Sequence, residues 1–338
     1  MDMQKLETLP PPPGVLGSLK AGFDIVSNRV ALILLPLGLD MILWLAPRVS
    51  VGNWYSSIFT DGLDILKQSG FSATELATYT ENGPIIVDFF NRLNWLGWIR
   101  TLPVGIPALM LDLPDNLPMK TPLGVQYVIQ LQSFLAAMGS IAALTFIGWL
   151  IGGWYFRIVA EASLGGEGAS VSGLHAIVQT ILLSLTWLVI LMIVFVPFSL
   201  VITLITLISP TVANIVVLVI LFFSFWLIVP FFFTPHGIFV HKQNAFYSIY
   251  SSLRMTRFSL PTSGMFVLST FILLRGLDRL WSVPKNDSWL TLVGIAGHAF
   301  ITTVLLAASF IYYRDMTGWL QNVYEKFQQI SKRPTSLV

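Results

Sequence analysis

Residues 179–234 read QTILLSLTWLVILMIVFVPFSLVITLITLISPTVANIVVLVILFFSFWLIVPFFFT. They sit inside a longer run, from Glu167 to Lys242, with no Asp, Glu, Lys or Arg between its ends. A water-facing surface cannot be built from such a sequence. A helix needs roughly 20 apolar residues to cross the hydrocarbon core of a bilayer, so the run holds two crossings. Ser209 and Pro210 mark the natural break, giving spans at 179–208 and 212–234. Pro197 and Pro230 fall inside these spans and predict kinks, whose freed carbonyls are met by neighbouring helices or by hydroxyls such as Ser199 and Thr234.

The rest of the chain has the same character. Of 338 residues, 55% are hydrophobic and only 11% charged, with a mean hydropathy of +0.75. A globular domain carries about twice that charge fraction, so a soluble fold could not cover its surface with polar groups. The expected fold is all-α: a polytopic membrane helix bundle of about six spans, with interfacial amphipathic helices and a proline-rich outer loop. A net charge of +2 is too mild to imply nucleic acid as a partner, and with no cysteine there are no disulfides or thiolate sites.

Four further spans follow from apolar stretches and their flanking residues. The first covers 30–47, between Arg29 and Arg48, and contains Pro36 and Asp40. The second runs over 132–156 to Trp154, Tyr155 and Arg157, with Gly148 and Gly152 in a GxxxG spacing that suits close helix approach or general bundle packing. The fifth and sixth cover 263–283 and 289–313, joined by the turn Pro284-Lys285-Asn286-Asp287, with Trp281 and Trp289 at one interface. Residues 132–313 thus hold spans 2–6.

Outside the spans, the start MDMQKLETLPPPPG lacks the apolar core of a signal peptide, so the first span is expected to be an uncleaved anchor. Pro10 to Pro13 predict a short polyproline II spacer. Residues 1–29 form a tail and an interfacial helix, with Val15, Leu19, Phe23 and Val26 on its apolar face. Residues 314–338 give an amphipathic helix and a basic tail. The segment from Gln243 puts Phe246, Ile249, Tyr250 and Leu253 on one face of an in-plane helix, with Arg254 and Arg257 available to lipid phosphates. Residues 48–131 form a helical lid whose prolines Pro103, Pro107, Pro114, Pro118 and Pro122 break any continuous helix; Val104 to Leu111 is apolar enough to enter the interface or cap the bundle. Six spans put both termini on one side, and the lysines and arginines of the short loops crowd that side, which predicts cytoplasmic termini.

Charges at membrane depth are the prime candidates for a site, since each costs a few kcal/mol unless paired or hydrated. Asp40 lies about 15 Å along the first span at 1.5 Å per residue. Arg275, Asp278 and Arg279 share one side of the fifth span, and Asp40 and Arg275 fall at similar depth. The expectation is an Asp40–Arg275 pair within a four-residue cluster, either an ion-pair network fastening two spans or a polar cavity for an anionic ligand. His298, in the sixth span, is a second intramembrane polar candidate and reads as a hydrogen-bonded bundle histidine. His175, His236 and His241 fall at the cytoplasmic edge, so no haem pair forms at its depth. Residues 164–173, LGGEGASVSG, lack the lysine of a phosphate loop and read as a connector in which Ser170 or Ser172 caps the next helix. No catalytic motif, metal set or cofactor signature is present.

The patterns AGFDIV, LLPLGLD and WLAPR, with LPVGIPALM and TPLG later, resemble a family of uncharacterised bacterial six-span membrane proteins carrying a domain of unknown function. The stretch from Pro230 through Ala245, Ser252 and Arg257 is similar, more loosely, to the membrane domain of glycerophosphodiester phosphodiesterases, without their catalytic barrel. That resemblance implies six spans in a bacterial inner membrane and carries over no catalytic residue. The expected role is a non-enzymatic scaffold or complex subunit, with membrane lipids and other membrane proteins as partners. The alternative is a transporter or lipid-handling protein working at Asp40, Arg275, Asp278 and Arg279.

Overall fold

The computed structural model describes residues 11–111, 117–165 and 171–332. Ten α-helices follow in chain order among them: α1 Val15–Asn28, α2 Leu34–Leu45, α3 Gly52–Gln68, α4 Ala73–Arg92, α5 Phe134–Ser163, α6 Gly173–Ile208, α7 Pro210–Phe232, α8 His236–His241, α9 Ala245–Trp281 and α10 Thr291–Lys332. Short 3-10 turns at Val30–Ile33 and Trp95–Ile99 complete the helical part. Four helices, α5, α6, α9 and α10, are long and apolar enough to cross a membrane. Two bent pairs raise the number to as many as six, if each is one span: Val15–Asn28 with Val30–Leu45, bent by 98°, and Pro210–Ser224 with Trp226–His241, bent by 41° within α7. Part of Pro10–Pro13, Pro114, Ser170 and the basic tail beyond Lys332 lie outside the described residues.

The sequence breaks where its chemistry says it should. Ser209 caps α7 by accepting the Val212 N–H, and Pro210 takes the first helical position, where its missing N–H is not needed. Ser172 caps α6 through the His175 N–H at 3.2 Å. In α9 the helix is interrupted at Ser259, two residues before Pro261. The expected in-plane segment and fifth span are therefore the two halves of one kinked helix. The expected sixth span and the amphipathic helix after it also merge, into α10. Its 42 residues measure about 63 Å at 1.5 Å per residue, twice the thickness of a hydrocarbon core.

α10 is the spine of the bundle. Ile295, Ala299, Val304, Ala307, Ala308, Phe310, Tyr312 and Tyr313 along it are buried. α1 packs directly on it. Its buried face is Ser18, Gly22 and Val26, while Leu16 and Phe23 are exposed. The reason is backbone approach: a Cβ at Gly22 would lie 2.6 Å from the Val304 carbonyl, so only glycine lets the two helices close.

The 48–131 segment builds the opposite, lid end. α3 and α4 pair as a hairpin through Tyr55 and Phe90, whose rings are 4.4 Å apart. Strand Arg48–Ser50 pairs in parallel with Val128–Gln130, so both ends of the segment are tied together. The Trp95 indole donates to Ser140 of α5 at 2.8 Å. Gln126 donates to the carbonyls of Leu43, Trp44 and Ala46, capping the orphan carbonyls at the end of α2. The Trp44 indole donates to Asn286 in the turn before α10.

The GxxxG pair of α5 serves this segment rather than another helix. Cβ atoms built at Gly148 and Gly152 would lie 2.2 Å from the Ile99 carbonyl and 2.9 Å from the Gly105 Cα. The 99–105 backbone thus lies in a groove that two glycines open, and Val104 and Ile106 are buried in the main core with Val159 and Ala160. Non-helical backbone is tolerated among spanning helices only where protein surrounds it. Gly148→Ala should destabilise the protein by about 1–3 kcal/mol through overpacking. Gly139→Ala, on the same helix with open space around it, should be neutral or slightly stabilising. Unfolding in detergent measures both, and equal effects would show that the groove is not closed by the loop.

Candidate functional site

Three helices and one loop converge on a buried polar cluster. In α2 the inward stripe is Pro36, Leu39, Asp40, Leu43 and Trp44, at the 3–4 spacing of one helical face, with Asp40 at its centre. Asp40 is fully buried. Its Oδ1 accepts the Met110 N–H at 2.9 Å, from the loop held against α5. Its Oδ2 faces His298 Nδ1 of α10 at 3.4 Å. The other ring nitrogen, Nε2, faces Asp278 Oδ1 of α9 at 3.5 Å. One imidazole therefore sits between two carboxylates from two different helices.

This partner set differs from the expected one. Asp40 has His298 as its ionic partner, not Arg275. The inward stripe of α9 near its end is Leu274, Leu277, Asp278 and Trp281, whereas Arg275 and Arg279 are exposed to either side of it. A helical turn of 100° per residue carries Arg275 out of the bundle although it stands only three residues from Asp278. Its guanidinium lies over the Phe271 ring at 5.7 Å. So Asp40 and Asp278 reach one site, Arg275 and Arg279 do not, and His298 joins them.

The geometry limits the chemistry. Both ring nitrogens of His298 can donate only when the ring is protonated, while a neutral ring donates to one carboxylate at a time. The two nitrogens point in opposite directions, so the three side chains do not converge on a common point. No group of three or more His, Asp or Glu among the described residues is placed to hold a metal ion. The cluster is also one-sided: the Asp278 side chain is 24% exposed and that of Asp40 is 0% exposed. The site is dry at its α2 end and reachable from outside only at its α9 end.

The other histidines belong to the far end. His236 bonds Ser309 at 2.8 Å and packs among Phe232, Phe233 and Phe310. His241 contacts Thr317, and His175 contacts the Gln243 carbonyl. Hydroxyls knit the helices between these levels. Thr234 accepts from the Trp187 indole, its carbonyl accepts from Ser248, and Ser252 donates to the Pro230 carbonyl. Tyr155 and Thr303 share a hydrogen bond of 2.9 Å between α5 and α10. The hydroxyl expected to relieve Pro197, Ser199, bonds Val196 instead.

Comparison with known proteins gives no match to a family model, a curated protein or a solved structure.

Removing the Asp40 carboxylate leaves the His298 ring and the Met110 N–H buried without their partner. Asp40→Ala should cost about 3–5 kcal/mol, the range for breaking a buried pair from one side. Arg275→Gln and Arg279→Gln should each stay within about 0.5 kcal/mol. In a double-mutant cycle Asp40→Ala and His298→Ala should be less than additive, because each deletes the same contact. Strict additivity, or an Arg275 effect equal to that of Asp40, would remove His298 as the partner.

Proposed function

We propose that this chain is a non-enzymatic membrane protein, a scaffold or complex subunit, whose lid is held in a fixed position for a partner to read. The observation that carries this reading is the burial of Asp40 against Met110. The carboxylate is spent on an N–H of the lid loop and on His298, which makes the cluster a clasp between lid and bundle. The lid hairpin also keeps Ile58, Ile65, Ile85 and Phe89 exposed, a surface with apolar area left for a neighbour.

A second reading, proton-coupled transport or lipid handling, draws support from one feature. His298 lies between two carboxylates, and the outer of these, Asp278, is partly exposed, which is the arrangement of a proton relay. Alternating access would need the 99–111 loop to leave the Gly148–Gly152 groove.

Gentle purification from native membranes separates the two readings. A scaffold should bring down a stoichiometric membrane protein that is lost when Ile65 and Ile85 are changed to serine, and reconstituted vesicles should show no flux. Proton-coupled solute flux abolished by Asp278→Asn, without a protein partner, would overturn the scaffold reading in favour of the second.

We place the lid outside and both termini inside the cell, in the inner membrane of a bacterium. This rests on the crowding of lysine and arginine at the end of the bundle opposite the lid and on the resemblance drawn from the sequence. A single cysteine replacing Lys285 should react with an impermeant maleimide added to intact cells. Labelling only after lysis would reverse the orientation.

A further inference from the structure

The first half of α9, residues 245–258, is amphipathic in an unusual sense. Its buried face is small: Ala245, Ser248, Ser252, Met255 and Thr256, closed by Ser259 at the kink. Its large apolar residues point away from the protein, with Phe246, Tyr250 and Phe258 each more than half exposed. Arg254 and Arg257 lie on the same exposed side. The segment is pinned rather than loose. Ser248 and Ser252 donate to the Thr234 and Pro230 carbonyls, and Asn244 caps the helix through the Tyr247 N–H.

Both sides of the kink at Ser259 are tied to α10: Ser251 contacts the Tyr313 hydroxyl and Ser263 the Tyr312 hydroxyl. Farther along, the Trp281 ring lies against Gly297. The strip of aromatics and two guanidiniums is thus anchored to the bundle on its other face.

Those guanidiniums lack an acidic partner of their own. Neither Arg254 nor Arg257 forms an ion pair among the described residues, and the sequence holds no Asp or Glu between Glu167 and Asp278. Of the carboxylates at this end of α10, Asp315 is paired with Arg314 and Glu325 accepts from Gln321. Among the described residues no carboxylate answers them, which leaves them open to an anion from outside the chain. Rings that seek the acyl boundary beside cations that seek phosphate are the two halves of a headgroup-binding surface.

We propose that residues 245–258 form a binding surface for anionic phospholipid headgroups, with Arg254 and Arg257 holding the phosphate and Phe246, Tyr250 and Phe258 seated among the acyl chains. This depends on the chain being membrane-embedded and is independent of the scaffold reading. The full chain in detergent, offered equal amounts of phosphatidylglycerol and phosphatidylcholine, should retain the anionic lipid preferentially when bound lipid is counted by native mass spectrometry. Each of Arg254→Gln and Arg257→Gln should lower that preference about fivefold, corresponding to about 1 kcal/mol per basic residue at an anionic surface. Arg254→Lys with Arg257→Lys should restore most of it, and Arg275→Gln with Arg279→Gln, at the other end of α9, should leave it unchanged. Thermal unfolding confirms that each exposed substitution leaves the fold intact. An unaltered preference in the double glutamine variant overturns the proposal. So does an equal loss in the Arg275/Arg279 control, or loss of a bound protein with no change in lipid.

Discussion

Close approach of backbones through small residues is the constraint on which this bundle depends. In water, a helix buries its large apolar side chains because that removes them from solvent. In lipid the solvent is itself apolar, and leucine gains little by turning inward. What remains is packing and hydrogen bonding, both of which favour faces that let two backbones come near. α1 docks on α10 by Ser18, Gly22 and Val26, α5 receives the lid loop at Gly148 and Gly152, and the first half of α9 turns its serines inward. Large residues are buried where rings stack, as in the cluster of Phe233, Phe266, Tyr312 and Tyr313, while the stretch of α6 from Leu191 to Phe195 is exposed on every side.

Bringing the lid loop into such a groove creates a second demand. Its backbone is not helical, so its N–H and C=O groups find no partners within an element of their own, and each unanswered group among apolar helices is costly. Asp40 answers one of them at Met110, and Thr101 answers another by donating to the Val104 carbonyl at 2.6 Å. The dependence is mutual. A carboxylate buried at the centre of a helix face would be intolerable without donors, and the loop and His298 are what face it. The charge in the first span and the irregular segment from the lid explain each other.

The sequence carried the break at Ser209-Pro210 and the two crossings of the charge-free run more plainly than helix lengths or faces, since α9 and α10 each join two expected segments. Ser209-Pro210 and the charge-free run through α6 and α7 are local signals, and local chemistry decides them. Which side of a helix turns inward is a relation between helices. For α1 the apolar residues Val15, Leu19 and Val26 turn toward the bundle and Phe23 meets Phe300 edge-on, but the closest approach is at Gly22, which apolar spacing does not single out. Asp40 stood out as a charge in a span, yet its partner was mistaken because depth reckoned by residue count sets Asp40 level with Arg275 and says nothing of rotation. The stripe Leu274, Leu277, Asp278, Trp281 would have separated Asp278 from the arginines. His298 was visible as a lone polar residue in an apolar span. Met110 was not, since a backbone N–H leaves no mark in a sequence.

The asymmetry of the cluster ties its chemistry to its mechanics. Asp278 at one end of the cluster is partly exposed, but Asp40 at the other end is sealed by Met110 and the loop. A path through the protein would have to open there, and opening it means withdrawing the 99–105 backbone from the glycine groove of α5. While the loop is seated, Asp40 keeps its N–H donor and the lid stays fixed. If the loop lifts, the carboxylate loses that donor and gains water, and its interaction with His298 weakens as the local dielectric rises. The contact that seats the lid loop is therefore also the one that keeps Asp40 out of water, and the groove at Gly148 and Gly152 holds both in place.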